Sequence, residues 1–156
     1  MTKRIAFLAV ALMTVVATAV TSAQTAPVQA TVMNKSKVLT SVQGTWMMTS
    51  ANGQDVAGSG QEMLVTITDD KYVQTMNGQV VEKGSFKLDE TKKPYALDIL
   101  IAEGEQAGQK QLAIIELDAT GKIMKVAISQ PSAPVRPSAF AVADGVETLV
   151  FAKKEA

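Results

Sequence analysis

The chain has 156 residues, with fifteen basic and fifteen acidic side chains, no Cys and no His. The missing Cys removes thiol nucleophiles, thiolate metal sites and disulfides, and the missing His removes the Ser-His-Asp arrangement, the imidazole proton shuttle and the commonest zinc ligand. A near-neutral charge balance with no basic cluster argues against nucleic acid as a partner, because phosphate binding needs concentrated Lys and Arg.

The N-terminus reads as a cleavable signal peptide over residues 1–23: basic Lys3 and Arg4, an apolar run from Ile5 to Val20, then the small residues Thr21-Ser22-Ala23 before Gln24. As a retained anchor the run would reach roughly 24 Å at about 1.5 Å per residue, short of a hydrocarbon core about 30 Å thick. Ala and Thr dilute it, and no Cys follows to accept a lipid. The expectation is export to the periplasm or the extracellular medium, with no stable membrane insertion after cleavage. Loss of Lys3 and Arg4 moves the formal net charge from zero to −2. The rest of the chain suits one domain with one core. Lacking disulfides, that domain relies on burial and strand pairing.

Residues 24–35, rich in Thr, Ala, Gln and Val with Pro27, read as a flexible linker, and 36–156 as the domain. Ser36 to Val42 carries Val38, Leu39 and Val42 at spacings compatible with one or two helical turns, which Gly44 breaks. From Thr45 the pattern changes to period two with recurrent turn signals. It predicts eight strands: Thr45 to Ser50, Glu62 to Thr68, Lys71 to Met76, Gln79 to Leu88, Tyr95 to Ala102, Lys110 to Asp118, Lys122 to Ser129, and Glu147 to Lys153. Asn77-Gly78 suits a type I′ hairpin, Asp69-Asp70 and Thr120-Gly121 close two others, Pro94 opens a strand, and Gly104 to Gly108 reads as an exposed loop. The connection Gln130 to Ser138 holds Pro131, Pro134 and Pro137 and is expected to be extended rather than a strand.

Eight strands joined mainly by short turns form a meander, and closing it removes both exposed edges. The fold expected is therefore all-β: an eight-stranded antiparallel up-and-down barrel with a short N-terminal helical segment. Ala113, Ile115 and Leu117 alternate with Leu112, Ile114 and Glu116, so that strand is expected to be covered on both sides.

Gly44-Thr45-Trp46, after a short helical segment, resembles the Gly-x-Trp element of lipocalins. In that fold the Trp plugs the closed end of the barrel and a basic side chain of the last strand lies across it, a role that falls on Lys153 or Lys154. Across most of residues 40–154 the chain resembles a bacterial family of uncharacterised, often exported, lipocalin-like domains. The matching elements are Val42 to Trp46, Gly84 to Asp89, Lys93-Pro94 with Leu97-Asp98-Ile99, Ile115 to Asp118, Arg136-Pro137 before Phe140, and Leu149-Val150-Phe151. The resemblance implies a fold and no particular activity.

Several residues stand out. Trp46 is either a core plug or a platform for a sugar or other ligand. Met47, Met48, Met63, Met76 and Met124 are either core filling or the lining of an adaptable pocket. Asp98 and Glu116 lie in apolar strands and Arg136 in the proline-rich connection. A half-buried carboxylate seeks a partner that Arg supplies bidentately, so the three read either as a bridge pinning the connection over the barrel or as an anion or acid/base site. Asp69-Asp70 and Asp89-Glu90 lack the glycine-rich pattern of a calcium loop and read as turns. No cofactor is expected, nor tight binding of zinc or copper.

These features point to a non-enzymatic exported barrel that binds a small apolar or amphipathic molecule in its cup. The alternative is a filled barrel acting as a structural or interaction module toward envelope protein or polysaccharide. An interior of about 300 Å³ or more favours the cup and a packed interior the module. A hydrolase using only carboxylates is a more distant third.

Overall fold

A computed structural model describes residues 36–132 and 134–155. The expected signal peptide and the linker over residues 24–35 lie outside the described residues. Helix α1 (Lys37–Ser41) starts where Ser36 caps it, its Oγ accepting from the Leu39 N–H at 3.0 Å, and stops at Val42. Nine strands follow: β1 (Gly44–Ala51), β2 (Gln54–Asp55), β3 (Met63–Thr68), β4 (Lys71–Met76), β5 (Gln79–Asp89), β6 (Tyr95–Gly104), β7 (Lys110–Leu117), β8 (Ile123–Ser129) and β9 (Val146–Lys153). From β3 to β9 each strand pairs antiparallel with the next, β1 pairs with β3, and β9 returns to pair with β1. The result is a closed eight-stranded antiparallel up-and-down barrel, with β2 as an extra strand hairpinned onto the end of β1.

The eight strands expected from periodicity are all present, and none of their ends moves by more than two residues. Asn77 and Gly78 adopt φ of 50° and 79°, the left-handed pair that a type I′ turn requires. No strand forms between Gln130 and Ser138 among the described residues.

Barrel closure gives period two its energetic meaning. Trp46, Ile101, Ala113, Ile115, Met124 and Phe151 point inward and are buried, each large side chain contributing about 1.5–3 kcal/mol. Strand β7 is covered on both faces: Ala113 and Ile115 face the interior, while Ile114 is buried at 4% exposure on the outside beside buried Ala96 and Ala127.

The β7–β8 hairpin is held by Asp118. Its carboxylate accepts from Thr120 Oγ1 at 2.5 Å and from the N–H groups of Lys122 and Ile123 at 2.8 and 2.9 Å. These bonds, chiefly that from Thr120, pull the Asp118 carboxyl below its ordinary value of 3.8 to about 2. A carboxyl depressed by folding stabilises fully above its unfolded value, near about pH 4, and loses that contribution as pH falls through the folded one. Asp118→Asn is therefore expected to melt at lower urea than wild type at pH 7, with the gap closing by pH 2. A gap independent of pH would show that the charge is immaterial.

Candidate functional site

The two ends of the barrel differ. One end is closed by α1 and Trp46. Val42 and Trp46 are buried, and the indole Nε1 donates to the Val42 carbonyl at 2.8 Å. Gln43 ties the helix to the β3–β4 turn by accepting from the Asp69 N–H at 2.6 Å and donating to the Asp69 carbonyl at 3.1 Å. Lys153 stands directly opposite Trp46 across the β1–β9 closure. Its Nζ lies 5.1 Å from the ring centroid and donates to the Ser41 carbonyl at 2.9 Å. Lys154 instead reaches Glu62, 3.3 Å away, at the exposed surface.

Inside the barrel is a void of about 120 Å³, walled largely by aliphatic and aromatic side chains such as Ile67, Phe86, Ile99 and Met124. Most of its polar groups come from β4 and β5. Tyr72 donates its hydroxyl to Glu82 Oε1 at 2.8 Å, and Gln74 stands opposite Glu82 in the β4–β5 register. Burial, reinforced by the bond to Glu82 and its charge, pushes the Tyr72 phenol far above its ordinary value. The phenol therefore serves as a donor and not as a base. Gln111 also lines the void and donates to the Ser129 carbonyl at 3.2 Å.

The proline-rich connection lies against the outer face. Arg136 Nη1 donates to the carbonyls of Ala113 at 2.7 Å and Leu97 at 3.1 Å, and Nη2 bonds Asp98. One guanidinium thus spans β6 and β7, and the adjacent Pro137 is buried. Glu116 is not part of this arrangement. It is exposed, faces Lys125 across β7–β8, and lies four residues along β7 from Leu112, the partner of Asp98, a step of about 13 Å. The period that buries Ile115 turns Glu116 outward, beyond the reach of Arg136. Asp98 and Glu116 therefore do not face each other across a cleft, the arrangement a two-carboxylate hydrolase needs.

Arg136→Ala is expected to cost about 1–2 kcal/mol, since charge-assisted bonds are the stronger class and this one is partly exposed. Backbone amide exchange should rise in the 131–138 connection and stay unchanged at the Trp46 end. Uniform acceleration across the barrel would contradict a local tie.

The methionines separate by face. Met124 is buried in the core and Met47 points away from the interior, while Met48, Met63 and Met76 face inward. The internal group of Tyr72, Gln74 and Glu82 was not singled out by sequence reasoning. Its signal was present: Tyr72, Gln74 and Met76 share a face by period two, as do Phe86, Gly84 and Glu82. Beside Lys83, however, Glu82 resembles an ordinary exposed charge.

No protein-family model matches the chain, and a search of curated proteins returns no match. The class established is the closed antiparallel β-barrel itself.

Proposed function

We propose that the protein is an exported, non-enzymatic β-barrel module with a largely filled interior, working through its outer surface and loops on envelope protein or polysaccharide. The observation that carries this reading is the interior void of about 120 Å³. Ligand pockets begin near about 300 Å³, and even benzene occupies an engineered cavity of about 150 Å³. Among the described residues every buried side-chain nitrogen and oxygen has a hydrogen-bond partner, so the interior holds its polar groups against one another rather than toward a guest. The lipocalin-like family reading agrees with a Trp-plugged barrel end crossed by a lysine of the last strand.

A second reading, a cup for a very small apolar or amphipathic molecule, draws on one observation. The end away from Trp46 carries Met48, Met63 and Met76, which repack readily around varied shapes.

Native mass spectrometry of protein from its own host, with titration of an apolar fluorescent dye, separates the two. The filled module carries no co-purifying mass and takes up no dye stoichiometrically; saturable one-to-one uptake replaces it with the cup. Export is checked by N-terminal sequencing, expected to begin at or near Gln24. An intact Met1 chain in the membrane fraction overturns it.

A further inference from the structure

Three methionines lie on the interior side of neighbouring strands, toward the end of the barrel away from Trp46. Alternation places Trp46 and Met48, Val65 and Met63, and Gln74 and Met76 on the interior side of β1, β3 and β4, three consecutively paired strands. Met63 stands directly opposite Met76. The β1–β3 ladder ends at Met47 with Leu64, and extending its register by one step would set Met48 opposite Met63. Opposed residues on neighbouring strands have Cβ atoms about 4.5–5.5 Å apart, and the unbranched thioether chain has three rotatable bonds. The three sulfurs are thus able to converge on one point.

Met48 packs against the core, whereas Met63 and Met76 lie outside that cluster, and two further observations bear on the row. All three residues are only half-buried, and Gln74 Nε2 donates to Met63 Sδ at 3.4 Å, so that sulfur presents a lone pair to a polar atom inside the mouth. Glu82 stands opposite Gln74, placing a carboxylate two residues along β4 from the row.

We propose that Met48, Met63 and Met76 form a binding site for a soft monovalent cation, copper(I) or silver(I). Thioethers select soft ions, and a chain without Cys or His has no stronger soft ligand to compete. Three neutral thioethers leave the full single charge of the ion uncompensated, and the nearby Glu82 carboxylate offsets it. Divalent zinc loses more on dehydration than neutral sulfur returns, so the site is not proposed for zinc, in keeping with the sequence-based expectation. For copper it is narrowed to the oxidised ion. This site goes beyond the proposed module function and does not require a filled or an empty barrel.

The test titrates purified protein with silver nitrate in chloride-free buffer, using silver as the redox-inert probe. Native mass spectrometry should show one silver ion per chain. Spectra of protein labelled at the methionine ε-methyl groups should show three signals moving together, and zinc should move none. The Met63→Leu/Met76→Leu double variant should bind at least tenfold more weakly, while Met47→Leu, on the opposite face, should bind as wild type. Absence of stoichiometric silver, equal shifts at Met47 and Met124, or wild-type affinity in the double variant overturns the site. If the double variant fails a circular-dichroism melt, the wild-type methyl spectra decide alone.

Discussion

Replacing Trp46 with Ala is expected to lower stability by about 3–5 kcal/mol, the range for a large aromatic removed from a close-packed interior. The indole is fully buried, its N–H bonds the Val42 carbonyl, and its ring lies beneath Lys153. The variant leaves a cavity at the junction of α1 with the barrel and an unanswered carbonyl at Val42. Lys153→Ala should cost about 1 kcal/mol or less, because a partly exposed cation over a ring adds little. Its bond to the Ser41 carbonyl adds a modest amount within that figure. Denaturant melts of both variants, with Trp fluorescence followed in wild type and Lys153→Ala, measure the difference. If Trp46→Ala melts like wild type while binding of a ligand is lost, the ring is a platform and not a plug.

The asymmetry between these two residues also shows what the sequence could convey. Gly44, Trp46 and Lys153 were legible because each belongs to a local pattern at a strand end, and barrel closure makes the first and last strands neighbours. The β4–β5 hairpin was legible from Asn77-Gly78. The same dipeptide at Asn52-Gly53, with φ of 50° and 78°, builds the β1–β2 hairpin, yet β2 went unread. A two-residue strand is too short to display alternation, so the turn signal had no strand to attach to.

Side-chain partnerships were less legible than strands. Period two gives the face of Asp98 and Glu116 but not which of them the Arg136 connection crosses, and that depends on where a proline-stiffened segment lies on a curved surface. The interior volume was beyond reach for a related reason. It depends on how far Tyr72, Phe86 and Phe151 reach across the barrel, and a few ångströms in those positions separate a cup from a filled core.

Gly84 provides the sharpest test of that packing. It lies in β5 opposite Tyr72, at a bulge in the pairing with β6 that sets Lys83 against Glu103 and Gly84 against Ile101. A Cβ at this position would stand 2.3 Å from the Leu100 carbonyl oxygen and 2.6 Å from Tyr72 Cε1. Its backbone is not in the left-handed region, so the obstruction is steric and not conformational. Gly84→Ala should therefore force β5 and β6 apart locally and displace the Tyr72 ring from Glu82, at a cost of about 1–3 kcal/mol for overpacking, or more if the ladder opens. Two variants separate the causes. Tyr72→Phe alone removes the hydroxyl that bonds Glu82, and should cost about 1 kcal/mol. Tyr72→Phe in the Gly84→Ala background should restore little, because the nearest obstruction is the Leu100 backbone carbonyl, which no side-chain change moves. Urea melts of the three proteins measure this. Full rescue in the double variant would place the clash at the tyrosine hydroxyl and show that the β5–β6 ladder yields more easily than its register implies.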